Sequence, residues 1–236
     1  MIIEMGRQMN KNHRYILFLT LMPAVFFFSC ATSPKPAVME KPETVIEKEN
    51  GKKVIGRTEE EIKSLELFTE ILDLTESTDD RQSVLPRAEA LYDKIIREYP
   101  GTPLAQESYW RLVTMYVRDY SPPDYEKADK RYREFLEKYP HSVMKGFIDD
   151  TLGNSYYKHA EWNRLLKLTA PVFREYTDKK TPPRAPLLFM YAEANYNLGD
   201  LVEAERAYRM AVDLFPETTA GVKSRTMLEK IKKNRK

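Results

Sequence analysis

An all-α chain, built as a solenoid of about four helix pairs plus a C-terminal capping helix, is predicted by three observations. The segment Ala88-x3-Tyr92-x2-Ile95-Ile96-x2-Tyr99-Pro100 returns 40 residues later as Ala128-x3-Tyr132-x2-Phe135-Leu136-x2-Tyr139-Pro140. A third copy places Ala204, Tyr208, Ala211 and Phe215-Pro216 at the same offsets, and an internal period of this length marks stacked units that share a core. The composition agrees: 8 Gly against 15 Tyr suits packed helices, and no stretch reads as a strand.

Within each copy the small residue and the aromatic are four apart and the next apolar residue is three further on, so all three share one helical face. Alanine lets a neighbouring helix approach, the aromatic ring fills the space beside it, and the proline ends the helix because it cannot continue the hydrogen-bond ladder. In chain order, a first helix is expected within Glu59 to Thr75, without a defined register, and its partner runs through Ala88 to Tyr99. The next pair begins with Tyr109-x2-Leu112-Val113-x2-Tyr116. It turns through Tyr120-Ser121-Pro122-Pro123-Asp124, with Asp124 placed as a helix N-cap, and ends at Pro140. The copy from 146 to 177 carries Leu152-Gly153-x2-Tyr156. Leu165 and Thr169 replace its alanine and aromatic, and Thr177 stands where proline is expected. The last pair, Ala185 to Pro216, reads Leu188-x2-Tyr191-Ala192, turns through Asn197-Leu198-Gly199-Asp200, and reopens at Glu203-Ala204. Val222 to Lys233 is left as a lone helix that caps the stack.

Taken together, these residues resemble the tetratricopeptide repeat, whose first helix reads W-x2-L-G-x2-Y and whose second carries A-x3-F and a closing proline. Asn195 departs from it, standing where tyrosine is usual. The resemblance covers roughly residues 58 to 233 and implies a tetratricopeptide-like solenoid that binds a partner along the concave face formed by its first helices. In the register above, that face takes Trp110, Arg111 and Thr114 from one pair, Asp150, Asn154 and Tyr157 from the next, and Phe189, Glu193 and Tyr196 from the last.

The amino terminus is organised differently. Arg7, Lys11 and Arg14 precede an apolar run from Tyr15 to Phe28, too short to span a bilayer comfortably at about 20 residues, and so it reads as a secretory signal. Met5 and Met9 are alternative starts. The run ends at Phe27-Phe28-Ser29-Cys30-Ala31, and Cys30 is the only cysteine in the chain. A lone cysteine after an apolar run and a small residue resembles the bacterial lipoprotein cleavage site, which implies diacylation of Cys30 with fatty acids such as palmitate. The two phenylalanines depart from that pattern, and Ser29-x-Ala31 offers a second cleavage site, after Ala31. The expected organisation is a signal peptide over 1–29, a lipidated cysteine and tether over 30–57, and the repeat domain over 58–236. The tether, with Pro34, Pro36 and Pro42 and few large apolar residues, cannot bury enough to fold.

Residues 1–29 hold three of the 38 Lys and Arg and one of the 36 Asp and Glu, leaving 35 of each. A balanced chain exerts no general pull on nucleic acid or anionic lipid, so membrane attachment is expected through acyl chains. The basic tail Lys230, Lys232, Lys233, Arg235 and Lys236 reads as a solvated helix end, where each cation complements the helix dipole by about 0.3 to 1 kcal/mol.

Signatures of catalysis are missing from the sequence. His13, His141 and His159 are dispersed, no Gly-rich phosphate loop or Gly-x-Ser-x-Gly turn occurs, and the adjacent acids Asp79-Asp80 and Asp149-Asp150 point in different directions on a helix. Trp110 and Trp162 could form a ligand box, but Trp162 stands where the repeat expects a packing residue. No catalytic residue, metal or cofactor is therefore expected. The Tyr-Pro closings followed by a small polar residue, Tyr99-Pro100-Gly101-Thr102 and Tyr139-Pro140-His141-Ser142, resemble those of BamD-type outer-membrane assembly lipoproteins and of Tol-Pal-associated periplasmic repeat proteins. The expectation is a periplasm-facing scaffold, lipid-anchored in the bacterial outer membrane, that binds envelope proteins or peptides and no nucleic acid. The alternative is an enzyme-regulating or substrate-holding lipoprotein of cell-wall metabolism.

Overall fold

The computed structural model describes residues 48–49, 52–53, 56–78, 80–180 and 183–234, all within the compact unit Pro42–Lys236. The signal segment, Cys30, most of the tether, Asp79 and the last two tail residues lie outside the described residues. Among those described, nine helices follow one another: α1 Glu59–Glu76, α2 Arg81–Glu98, α3 Pro103–Arg118, α4 Tyr125–Lys138, α5 Met144–Lys158, α6 Trp162–Lys179, α7 Ala185–Leu198, α8 Leu201–Leu214 and α9 Thr219–Asn234. The chain is an all-α, tetratricopeptide-like solenoid of four hairpins and a capping helix. One small exception lies in the expected tether, where Lys48–Glu49 and Lys52–Lys53 pair antiparallel as β1 and β2. The intervening sequence is Asn50-Gly51, a dipeptide that favours two-residue hairpins, so the signal was legible and the reading that nothing forms a strand missed it.

Local chemistry sets the helix ends. Thr58 opens α1 with a reciprocal capping box to Glu61, and Asp80, Thr102, Asp124 and Asp200 each accept a backbone N–H at the start of α2, α3, α4 and α8. Two of the joints between hairpins share one device. At Tyr99-Pro100-Gly101-Thr102 the Thr102 hydroxyl donates to the Tyr99 carbonyl at 2.9 Å and accepts from the Ala105 N–H at 3.3 Å, so one side chain closes α2 and opens α3. Thr218 does the same between Phe215 and Gly221, at 2.9 and 3.2 Å, and therefore α9 begins at Thr219, ahead of the expected Val222. The α6 joint lacks this proline, and its helix ends instead on Lys180 in the left-handed conformation, φ 58°.

The expected stripes turn inward. Ala88, Ala128 and Ala204 are at most 1% exposed, Tyr92 and Tyr208 are buried beside them while Tyr132 is half-buried, and Leu165 and Thr169 occupy the same inward positions of α6. In α1, whose register the sequence left open, Ser64, Phe68 and Ile71 turn inward. Phe68 sets its ring against Tyr92 at 6.0 Å, edge to face. First helices α1, α3, α5, α7 and α9 come together in succession, whereas the backbones of α2, α4, α6 and α8 stay apart and only ion pairs bridge α2 to α4 and α4 to α6, so the stack is tighter on its first-helix side, which is the concave side. Contact between α4 and α5 is slight, and α3 against α5 carries that junction.

Candidate interaction face

Three consecutive first helices build the face. On α3 the half-buried Trp110 donates its indole N–H to the Thr151 hydroxyl of α5 at 3.0 Å, and its ring lies 5.8 Å from Phe147, which is exposed on α5. Arg111 is held by Glu107 at 2.9 Å and sets its guanidinium over Trp110 at 5.0 Å and over Phe68 at 5.8 Å, a cation–π bridge between α1 and α3. Thr114 is half-buried and donates to the Trp110 carbonyl at 2.8 Å. On α5, Asn154 is exposed, and Asp150 pairs with Arg184 at the entry to α7, at 2.6 Å.

The third cluster sits deeper than the sequence register implied. Tyr157 is half-buried, its ring 5.8 Å from Trp162 and 6.2 Å from Phe189, and burial pushes its phenol up from the usual range. Phe189 is buried between Tyr157 and Tyr208, with Lys223 of α9 over it at 5.8 Å. Glu193 is buried too, accepting hydroxyl hydrogen bonds from Tyr208 at 2.5 Å and from Tyr157 at 3.3 Å. Tyr196 stays half-buried beneath Lys230 of α9 at 5.2 Å. The reason is that α9 packs on α7 as a further first helix would, covering the end of the row. Of the nine positions, Trp110, Arg111, Thr114, Asp150, Asn154, Tyr157 and Tyr196 thus have accessible surface along the first-helix layer, and Phe189 and Glu193 lie within the helix packing. The sequence reading missed Phe147, although it stands one turn before Asp150 and Thr151 on the same stripe.

Acidic and basic groups elsewhere are engaged structurally. Asp149 is buried and accepts from Tyr132, pairs with Lys145 at 2.7 Å and approaches Arg184 at 3.6 Å, so it closes the α4–α5 junction against the entry to α7; the expectation that the adjacent acids diverge fails here, because Asp150 takes the other side of the same guanidinium. His141 is exposed in the α4–α5 turn and His159 caps α5, 6.3 Å from the Tyr125 ring. Among the described residues no group of His, Cys, Asp and Glu is arranged to hold a metal ion, and no helix is long and apolar enough to cross a membrane.

No curated protein and no solved structure matches the chain. A family model described as tetratricopeptide repeat matches residues 187–218, which are α7, α8 and the turns that close them. The match falls on the fourth hairpin, and with three more helical hairpins ahead of it the fold of the chain is a tetratricopeptide-like helical solenoid.

Proposed function

We propose that this chain is a protein-interaction scaffold of the bacterial envelope, lipid-anchored in the outer membrane through Cys30, which grips an extended segment of a partner protein along its first-helix face. The observation that carries the reading is the row of accessible aromatic rings, Trp110, Phe147, Tyr157 and Tyr196, running across α3, α5 and α7 between the polar side chains Glu107, Asp150 and Asn154. Rigid aromatic anchors flanked by groups that fix orientation are the usual composition of a binding hot spot. The anchor is supported by the position of Cys30 directly after the apolar run, and a role in outer-membrane protein assembly by the likeness of the Tyr-Pro closings.

Photo-crosslinkers placed in cells at Phe147 and Asn154, on the first-helix face, and at Glu137 and Lys94, on second helices, test it. Adducts to one envelope protein from the first pair and none from the second are expected, as is release from the membrane fraction on Cys30→Ala. Equal adducts from all four positions would overturn the face, and a mature terminus at Thr32 without lipid would overturn the anchor.

A further inference from the structure

The second-helix side of the stack carries a slot that the repeat register makes readable. With the copies aligned on Ala88, Ala128 and Leu165, Glu89 corresponds to Asp129 and Lys127 to Arg164, and both pairs bridge their helices: Lys127 to Glu89 at 3.1 Å, and Arg164 to Asp129. One turn further along, Arg131 of α4 crosses to Asp93 of α2 at 2.6 Å. The equivalent positions at the next junction are Leu168 on α6 and Arg133 on α4, which cannot pair. The second staple is missing there, contact between α4 and α5 is slight, and a cavity of about 410 Å³ lies between α4 and α6 over α5.

Its walls are mostly apolar: Leu136 from α4, Leu152 and Tyr156 from α5, and Leu168, Pro171 and Val172 from α6. The polar groups divide by position. Arg133 and Lys167 are exposed at the rim, one turn ahead of Leu136 on α4 and of Pro171 on α6; both attract Glu126, and Glu126 is already held by Arg164. Neither cation makes a hydrogen bond or ion pair among the described residues. Leu136, Pro171 and Val172 lie further along the same helices, so the slot has a cationic end and an apolar end. Of the other two cations that line it, Lys145 is neutralised by Asp149, and Arg164 by Glu126 and by Asp129, the carboxylate that borders the slot.

We propose that this slot binds a single-chain amphiphilic carboxylate, with its headgroup on Arg133 and Lys167 and its alkyl chain along Leu136, Leu168 and Val172. The volume lies at the small end of the range for ligand pockets, about 300 to 1,000 Å³, and suits one linear chain. Two unpaired cations at one end select an anion over an amine, and the proposal is independent of the partner reading above.

Full-length chain titrated with decanoate, octanoate and decylamine below their micelle concentrations, followed by calorimetry and by methyl NMR of Leu136, Leu168 and Val172, provides the test. Decanoate is expected to bind with shifts confined to these methyls, octanoate to bind more weakly by about fourfold per methylene removed, and decylamine to bind at least tenfold more weakly than decanoate. The variant Arg133→Asp/Leu168→Arg recreates the cross-gap pair of the preceding junction and should abolish binding while leaving the helical spectrum intact. Should that variant not fold, the exposed-charge variant Arg133→Glu/Lys167→Glu decides, with reversal of the decanoate preference expected. No decanoate binding, equal binding of decylamine, or wild-type affinity in the deciding variant would each overturn the site.

Discussion

Glu193 on α7 accepts the hydroxyl of Tyr208 on α8 at 2.5 Å, with both residues buried. Its other carboxylate oxygen takes the Tyr157 hydroxyl of α5, so one acid joins three helices of two successive hairpins.

Glu193→Ala leaves the fully buried Tyr208 hydroxyl without its acceptor, and a buried polar group stripped of its partner costs about 1 to 3 kcal/mol. At about 2 to 4 °C per kcal/mol for a domain of this size, a clear drop in melting temperature is expected, with Glu193→Gln recovering most of it. An unchanged Glu193→Ala melt would mean that the carboxylate does not organise this junction.

Ala204 is completely buried where α8 meets α7. Ala204→Leu should cost about 1 to 3 kcal/mol by overpacking. Lys180→Leu, at an exposed helix end, should change little, and Lys180→Gly should gain up to about 1 kcal/mol by relieving the left-handed backbone. Chemical denaturation of the three variants checks the ordering, and a stability loss no larger for Ala204→Leu than for Lys180→Leu would place the alanine stripe out of phase.

Gly221 marks the closest approach of α9 to the preceding turn: a Cβ there would stand 2.0 Å from the Phe215 carbonyl oxygen. Gly221→Ala should therefore push α9 from its seat over Phe189 and Tyr196. The measurement is amide hydrogen exchange, with faster exchange across α9 expected and rates in α2 to α4 unchanged.

Burial holds the phenols of Tyr92, Tyr109 and Tyr191 up at about 12 against an ordinary value of 10.0. Burial and the carboxylates of Asp149, Asp129 and Glu193 push Tyr132, Tyr156 and Tyr208 higher still. Above pH 10 the unfolded chain releases phenol protons that the folded chain retains, so stability present below pH 10 is lost as the pH climbs towards 12. Tyrosinate absorbance should rise later in the native protein than in urea, and coincident curves would contradict the burial.

How much of this was legible in the sequence varied with the kind of contact. Stripes such as Ala128, Tyr132 and Phe135 were readable because backbone period alone sets which face they occupy. The register of α1 was not, since Ser64, Phe68 and Ile71 lack the alanine and closing proline that identify the other helices. The depth of Phe189 and Glu193 was hidden for another reason. Both hold groove positions in the repeat register, but Glu193 is drawn in by the hydroxyls of Tyr157 and Tyr208, and Phe189 packs between those two rings with Lys223 of α9 over it. The mispaired positions Arg133 and Leu168 become informative only once the structure shows that their counterparts Asp93 and Arg131 touch.

The buried side chains form two clusters, one spanning α1 to α7 and the other α6 to α9, and Tyr157 and Leu166 pack against both. Such a seam gives unravelling from the carboxyl end a natural stopping place. The last hairpin and α9 can peel away as a block once the Phe173, Tyr191 and Tyr208 cluster gives way, while the Tyr109, Leu152 and Phe135 cluster keeps its own buried contacts. A partner that touches α5 and α7 together clamps that seam, so its arrival would be felt as slower opening of α8, which lies behind the gripping face, and of α9, which extends it.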